Sequence, residues 1–597
     1  MPPPANTVSD GFAALHKGMD SGVPPEILEP GQYSFGVNCI CRGGFIRPRP
    51  GYRNTKIDLG SNKSGLCQGV GVYDTEQGWQ NILAQISGKL FQIDVRPTVP
   101  TVQEITPAVG GNDPARPQAW MYQLERNVVV QNGQDRTWIF NGALTRRAGP
   151  LEIPTGTVGC YAMGRAWQSL MDGRTFIGGD LVYGDGTRDS VLKVTENQFL
   201  NESKVFSVPA VAGEITAITS PANLDTSLGQ GPIHVFTENS VFTINAPFDA
   251  AVWKNLRTPI QTISMLEYGA EAQDSTIRVN GDIYYRSLDG IRSHILARRT
   301  FGLPGNTVQS SEMGRVLDFD DQNLLRYGSA ILFNNRLLMT ASPARDGSTG
   351  NIYHRGIVSL DFDPVSGMQR KQPPSYDGVW TETSSAEGSP RHRVLKLVRL
   401  KTGRRERAFA FMLNLDSEIE LWEISKDDWF DNQGTEDLRI VSYHESRSLD
   451  FKNGQAWKKL QGGFAAIRHL RGQTDFNLKF RPDDLPYWVD WETWAECAKF
   501  KDCTPVNGCL TNKNFMEQYR PRRKLHQPPD SCEPTTGLPH RLGKRFQVRL
   551  QVTGYCEIRS VELLASVAPE PPVESCPAEA PCKELEGCPG ADFIVSD

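Results

Sequence analysis

Three groups of residues in this chain have the types and spacing to do chemistry. They are a late set of cysteines, arginines between Arg42 and Arg49, and tryptophans between Trp488 and Trp494. Cys497, Cys503 and Cys509 recur with five residues between them, and Cys576, Cys582 and Cys588 repeat that interval. Cys532 and Cys556 bring this set to eight of the chain's 12 cysteines. Zinc knuckles need two ligands two to four residues apart, and these intervals are too wide. Free thiols are one reading. Disulfides that staple loops without a core, formed once the protein has left a reducing cytosol, are favoured over metal. The pairing stays open.

Enzyme chemistry has little support. There is no P-loop, no H-E-x-x-H and no G-x-S-x-G elbow. Nine histidines (16, 234, 294, 354, 392, 444, 469, 526 and 540) stand singly, which is the pattern of structural side chains. The carboxylates of Asp318, Asp320 and Asp321 sit close together but lack the glycine and remaining donors of a calcium loop, so they read as a solvated loop. No paired acids suggest sugar hydrolysis. Neither a cofactor nor a metal site is expected.

The elements that must carry these groups are strands. The chain has 597 residues, with 39% hydrophobic and 22% charged residues, 55 Gly and 40 Pro. It is too long for one ordinary core unless the core repeats. So much turn-forming residue, with no long helical stretch, indicates an all-β protein. A net charge of -5 speaks against a nucleic-acid grip through a basic face, though not against DNA sliding past. The N-terminal stretch reads as no secretory signal, and no apolar run reaches membrane-spanning length, so folding in the cytosol is expected.

The region Gly231 to Ile291 sets the pattern. Ile233, Val235 and Phe236 lead through a polar turn into Val241, Phe242 and Ile244. Ile277 and Val279 lead through Asn280-Gly281-Asp282 into Ile283, Tyr284 and Tyr285. Asn-Gly supplies the positive φ angles of tight hairpins. Similar units turn at Ser87-Gly88, Asn132-Gly133, Asp172-Gly173 and Asn334-Asn335, and another spans Val394 to Ile424. About seven units recur across 60–425, at the spacing of blades. A β-propeller-like repeat of hairpin blades is therefore expected over 31–430, with a multi-sheet sandwich as the alternative.

Residues 1–30 read as an extended N-terminal arm, either a free terminus or one packed on a neighbouring subunit. Residues 431–481 and 541–568 read as a β-sandwich-like domain, with Thr553-Gly554 as a hairpin turn. Residues 482–540 form a Trp- and Cys-rich insertion, and 569–597 a Cys-rich tail. Within 31–52, Gly43-Gly44 makes a turn and Arg47-Pro48-Arg49-Pro50-Gly51 an extended segment. The two arginines there are either solvated or a contact with another subunit or DNA.

The stretch Asn38 to Tyr52 reads N-x3-R-G-G-x2-R-x-R-P-G-Y, and FTENSVFTINAP, GDIYYRSLDGI and HESRSLDF follow later. With them, the chain resembles the tubular tail nozzle proteins of short-tailed bacteriophages, over roughly 30–480 and 541–566. The Trp/Cys-rich insertion and the Cys-rich tail depart from that pattern. The resemblance implies a homohexameric ring in the virion tail, assembled in the host cytoplasm. Such a ring caps the portal and adaptor side, meets tail fibres, retains the packaged genome and conducts DNA without sequence-specific binding. It implies no enzyme. It also implies that the segment containing Arg42, Gly43, Gly44, Arg47, Arg49, Pro50 and Gly51 lies at subunit contacts. A receptor-binding tail-tip propeller, with the Trp-rich insertion touching the host surface, is the alternative. A surface-polysaccharide hydrolase is the more distant one.

Overall fold

The computed structural model describes residues 7–200, 204–220, 233–244, 246–255, 260–262, 268–279, 281–294, 308, 310–318, 320–363, 374–381, 392–403, 405–434, 437–483, 485–497, 516–517, 520–534 and 537–570. The fold is all-β. Asn334 and Asn335 carry φ of 51° and 56°, as their hairpin requires, and Ser87 and Gly88 carry 45° and 77°.

Successive antiparallel sheets form blades. Blade 1 is Cys67–Asp74, Gln80–Ile86, Lys89–Asp94 and Thr101–Glu104; blade 2 is Trp120–Leu124, Asn127–Gln131, Trp138–Phe140 and Thr145–Arg147. Blade 3 is Gly156–Ala162, Arg165–Leu170, Thr175–Gly178 and Phe206–Ser207; blade 4 is Ile215–Thr219, Ile233–Thr237, Val241–Ile244 and Ile260–Thr262. Blade 5 is Ile277–Val279, Asp282–Ser287 and Gly290–Ser293. Blade 6 is Ala330–Phe333, Arg336–Arg345, Ile352–Asp361 and Ser375–Thr381. Blade 7 is Arg393–Thr402, Arg405–Leu413 and Ile419–Ile424, completed on its outer edge by Tyr52–Asn54.

The ring closes through its apolar cores. Leu83 and Leu90 of blade 1 pack on Val128 and Trp138 of blade 2. Trp167 of blade 3 packs with Phe242 of blade 4, and Phe236 of blade 4 with Tyr285 of blade 5. Leu338 of blade 6 meets Val394 and Met412 of blade 7. Phe409 and Leu400 of blade 7 return to Ile82 and Phe91 of blade 1. A β-propeller is the result, sealed by an N-terminal strand completing the last blade.

The remaining strands build a closing sheet with two unusually long members, Lys458–Pro482 and Phe546–Val567, which pair with each other along most of their length. At 25 residues the first extends for roughly 80 Å if straight. The register shifts between Arg468 and Asp475. The hairpin expected at Thr553-Gly554 does not form, and one strand runs through it. Gly554 (φ 116°) marks a close approach, since a Cβ there would lie 2.7 Å from the Gln473 carbonyl oxygen.

Two boundaries are corrected. Within the expected arm, Thr7–Ala13 pairs with Ser560 to Ser566 of the chain's own closing sheet, and Phe12 and Leu15 enter its core. The expected start of the propeller at 31 is also too early. Gln32–Val37 joins Val441–Ser446, with Tyr33, Phe35 and Val37 buried. Val37 also pairs in parallel with Val379 of blade 6, so the closing sheet is hydrogen-bonded to the propeller edge.

Candidate functional site

The arginine segment lies where the propeller and the closing sheet meet. Asn38 sits at φ 52°, and its side chain makes four hydrogen bonds to three residues. Its amide donates to Thr381 Oγ1 (2.8 Å) and the Val441 carbonyl (3.0 Å); its oxygen accepts from Thr381 N (2.8 Å) and Arg49 Nε (3.0 Å). Arg49 then donates through Nη1 and Nη2 to the two oxygens of Asp431, both at 2.8 Å, and stacks 3.7 Å over the Tyr52 ring. Tyr52 N donates to the same Asp431 carboxylate at 2.8 Å. This fork is why the segment needs arginine, because lysine offers no planar pair of donors.

Arg42 makes a second fork, donating to Asp361 at 2.8 and 2.6 Å and to the Asn334 carbonyl at 2.9 Å. Asp361 also receives Arg336 (2.9 Å), which bridges to Asp377 at 2.8 Å. The Asp377 carboxylate accepts from Cys41 N and Ser359 Oγ, each at 2.9 Å. Arg47 reaches Glu557 at 3.4 Å and lies over Trp429. Gly43 and Gly44, with φ of 85° and 81°, form the turn between Cys41 and Ile46. Gly51 allows backbone to pass backbone, since a Cβ there would sit 1.9 Å from the Phe430 oxygen.

These contacts correct the placement implied by the resemblance for Gly44, Arg49, Pro50 and Gly51, which are buried, whereas Gly43 is exposed and Arg42 and Arg47 are half-buried. Arg49, Pro50 and Gly51 are buried within one chain, and Arg42 and Arg47 each pair with one of its own carboxylates. The segment is an internal staple. Its partners Asp361, Asp377 and Asp431 carry no motif and are read only from the fold.

The tryptophans speak against the alternative in which they read a host surface. Val489–Cys497 is a strand on the edge of the closing sheet, antiparallel to Gln473–Phe480. Trp494 stacks on Phe476 with centroids 4.9 Å apart, and Trp491 meets Phe480 edge-on at 5.6 Å. Trp488 lies between the guanidiniums of Arg481 and Arg549. The alternation Trp488, Trp491, Trp494 around a strand serves the core rather than an open reader surface.

Of the disulfide candidates, Cys532 is bonded. Cys556 is a free thiol in the closing-sheet core, where burial pushes its pKa far up, so it is removed from the set. Cys497 ends its strand. Cys503, Cys509, Cys576, Cys582 and Cys588 lie outside the described residues. The aspartate loop is corrected at one residue, since Asp318 and Asp321 are exposed but Asp320 is not. Its side chain is 2% exposed and pairs with Arg286 at 2.7 Å, and desolvation raises its pKa.

No family model matches the chain, and no curated protein matches it. Among solved structures, the extracellular domain assigned to a hybrid two-component system of B. thetaiotaomicron, BT4673, is similar at 10% identity and a TM-score of 0.36. That alignment covers 62% of this chain and 39% of the other. YCF48 from Cyanidioschyzon merolae is similar at 8% identity and a TM-score of 0.32, over 63% of this chain and 98% of the other. BamB from Moraxella catarrhalis is similar at 12% identity and a TM-score of 0.27, over 65% and 96%. All three scores are low, and the fold assignment rests on the strand pairings and inter-blade cores.

Proposed function

We propose that the chain is a structural subunit of a bacteriophage tail, forming a hexameric nozzle ring that retains the packaged genome and conducts DNA during ejection. The observation that supports this reading is the joint at Asn38, Arg49 and Asp431. The motif that carries the family resemblance is also the part that pins the last blade to the closing sheet. A wall that holds a pressurised genome must resist opening at its seams. Here the propeller seam is completed by Tyr52–Asn54 and backed by an ion pair with no exposure.

A net charge of -5 suits a passage that phosphate must not stick to. The partners are further copies of the chain, the adaptor and portal-side proteins, and tail fibres. DNA passes without base-specific contacts, and no catalytic role is assigned.

The test is electron-microscopic class averaging of the purified protein together with its mass in solution. The expected result is a six-fold ring with a central opening, formed alone or on a portal. A monomer that joins no ring, even with the other virion proteins present, overturns the proposal.

A further inference from the structure

The long strand Lys458–Pro482 slips its register against Phe546–Val567 between Arg468 and Arg471. His469, inside that slip, has φ 52°, a left-handed conformation that residues with a side chain seldom take. Irregularities of this kind re-aim side chains. This one gathers Arg468, His469 and Arg471 beside Arg47, at the flank of the Arg49 joint.

Three guanidiniums and an imidazole surround one carboxylate. Glu557 receives Arg468 at 2.7 Å and Arg47 at 3.4 Å, and His469 Nδ1 lies 3.2 Å from it. Arg471 has no ion pair or hydrogen bond among the described residues. The one acid of its strand, Asp475, is held by Arg439 at 2.5 Å. Three positive charges against Glu557 leave an excess of two, which a divalent anion matches and a single carboxylate does not. The excess is local, in a chain of net charge -5, so it makes a point contact rather than a basic face.

Solvent reaches the cluster. The side chains of Arg47, Arg468 and His469 are 24%, 32% and 32% exposed, and Arg471 is half-buried. Rings cover the guanidinium faces. Arg471 lies 5.0 Å over Tyr555 and 5.7 Å over Trp429, Arg47 lies 5.3 Å over Trp429, and Arg468 lies 3.9 Å over Phe45. The Nε of Arg471 is sealed, so its terminal nitrogens are what it presents. Guanidiniums held by their faces offer their N–H edges, the geometry that recognises oxyanions.

We propose that Arg47, Arg468 and Arg471 form a site for a divalent tetrahedral oxyanion, the chemistry of a terminal phosphate group, with Arg471 as its unshared donor. The proposal stands or falls independently of the tail reading.

The experiment titrates the full chain, at constant ionic strength, with inorganic phosphate, glycerol 3-phosphate, acetate and a short oligothymidylate. Calorimetry and the ligand-induced shift of the thermal transition report binding. Both phosphates are expected to bind with a Kd of about 1 mM or tighter, and acetate at least about tenfold more weakly. Tighter binding of the ester identifies a phosphate carried on a larger molecule, and equal binding the free ion. Arg471→Gln strands no carboxylate, and is expected to weaken phosphate about tenfold with the unliganded transition nearly unchanged. Glu557→Gln removes the competing carboxylate and is expected to tighten it. Absence of phosphate binding at about 20 mM overturns the proposal, as does unchanged affinity in Arg471→Gln. Acetate binding as tightly as phosphate, or oligothymidylate binding where neither small dianion does, overturns it as well.

Discussion

Arg49 and Asp431 meet through two parallel hydrogen bonds of 2.8 Å, with neither side chain exposed to solvent. They are far apart in sequence and join the segment leading into the propeller's sealing strand to the segment leaving its last blade. Removing one partner strands a buried charge. Asp431→Ala is expected to cost about 3–5 kcal/mol, read as a lower denaturant midpoint and earlier proteolysis near Tyr52. Replacing both with apolar residues of similar volume is expected to cost less than the single change.

Gly51→Ala tests the same joint without touching charge. The new methyl would lie 1.9 Å from a backbone oxygen, which cannot swing away as a side chain can. A loss of about 1–3 kcal/mol is expected, with the thermal transition as the readout. An unchanged transition would mean that the two backbone segments are not held together here.

Strand content and the blade rhythm were legible because each hairpin is local. An alternating run, a turn such as Asn334-Asn335 and a second run specify one another within about a dozen residues. The joint was not legible, because Arg49 gives no sign of whether its carboxylate lies in this chain or in a neighbour. Asp431 is 382 residues away, in a stretch of several acids with no pattern to single it out. Thr553-Gly554 misled for a related reason. A glycine between two alternating runs signals a reversal, yet here positive φ serves close passage past Gln473. Spacing does not assign the tryptophans to core or surface, and only the adjoining strand shows Trp491 and Trp494 reaching the aromatic partners Phe480 and Phe476.

Cysteine reactivity separates the two thiol classes. Cys39, Cys41, Cys67 and Cys556 are buried and free, and burial pushes Cys67 up to about 12. These four are expected to resist maleimide in the native protein and to react after denaturation. Cys532 is expected to be labelled only after reduction, consistent with its disulfide. Mass spectrometry of labelled peptides checks both, and native labelling of Cys556 would contradict its burial.

Trp494→Ala distinguishes a core tryptophan from a reader. The indole stacks on Phe476 and is 8% exposed. Its removal is expected to cost about 3–5 kcal/mol, seen as a lower denaturant midpoint. A variant of unchanged stability that nonetheless lost attachment to cells would restore the reader assignment.

Acid response follows from two opposing sets of buried groups. Burial lowers the pKa of His354 and His444 to about 3. An unfolded histidine titrates near 6.5, so between about pH 6.5 and 3 the unfolded chain binds protons that the folded chain refuses. Each histidine then removes roughly 1.4 kcal/mol of stability per pH unit as pH falls through that window. Burial raises Glu312 to about 7 and Glu271 to about 6, so the folded chain takes up their protons first. They add stability as pH falls through those values, until the unfolded carboxylates also protonate near their usual value. The two sets offset each other above about pH 4.5, and below it the histidine effect continues and is joined by carboxylates such as Asp346, whose hydrogen bonds hold its pKa at about 2. Denaturation midpoints against pH should therefore stay nearly level from neutrality to about pH 4.5 and then drop steeply. Glu312→Gln is expected to move the onset of the drop toward pH 6.5. His444→Phe, which keeps a ring against Phe12, is expected to flatten the acid limb. A midpoint slope between about pH 6.5 and 4.5 that is the same in that variant as in the wild type would show that His444 takes up its proton without unfolding.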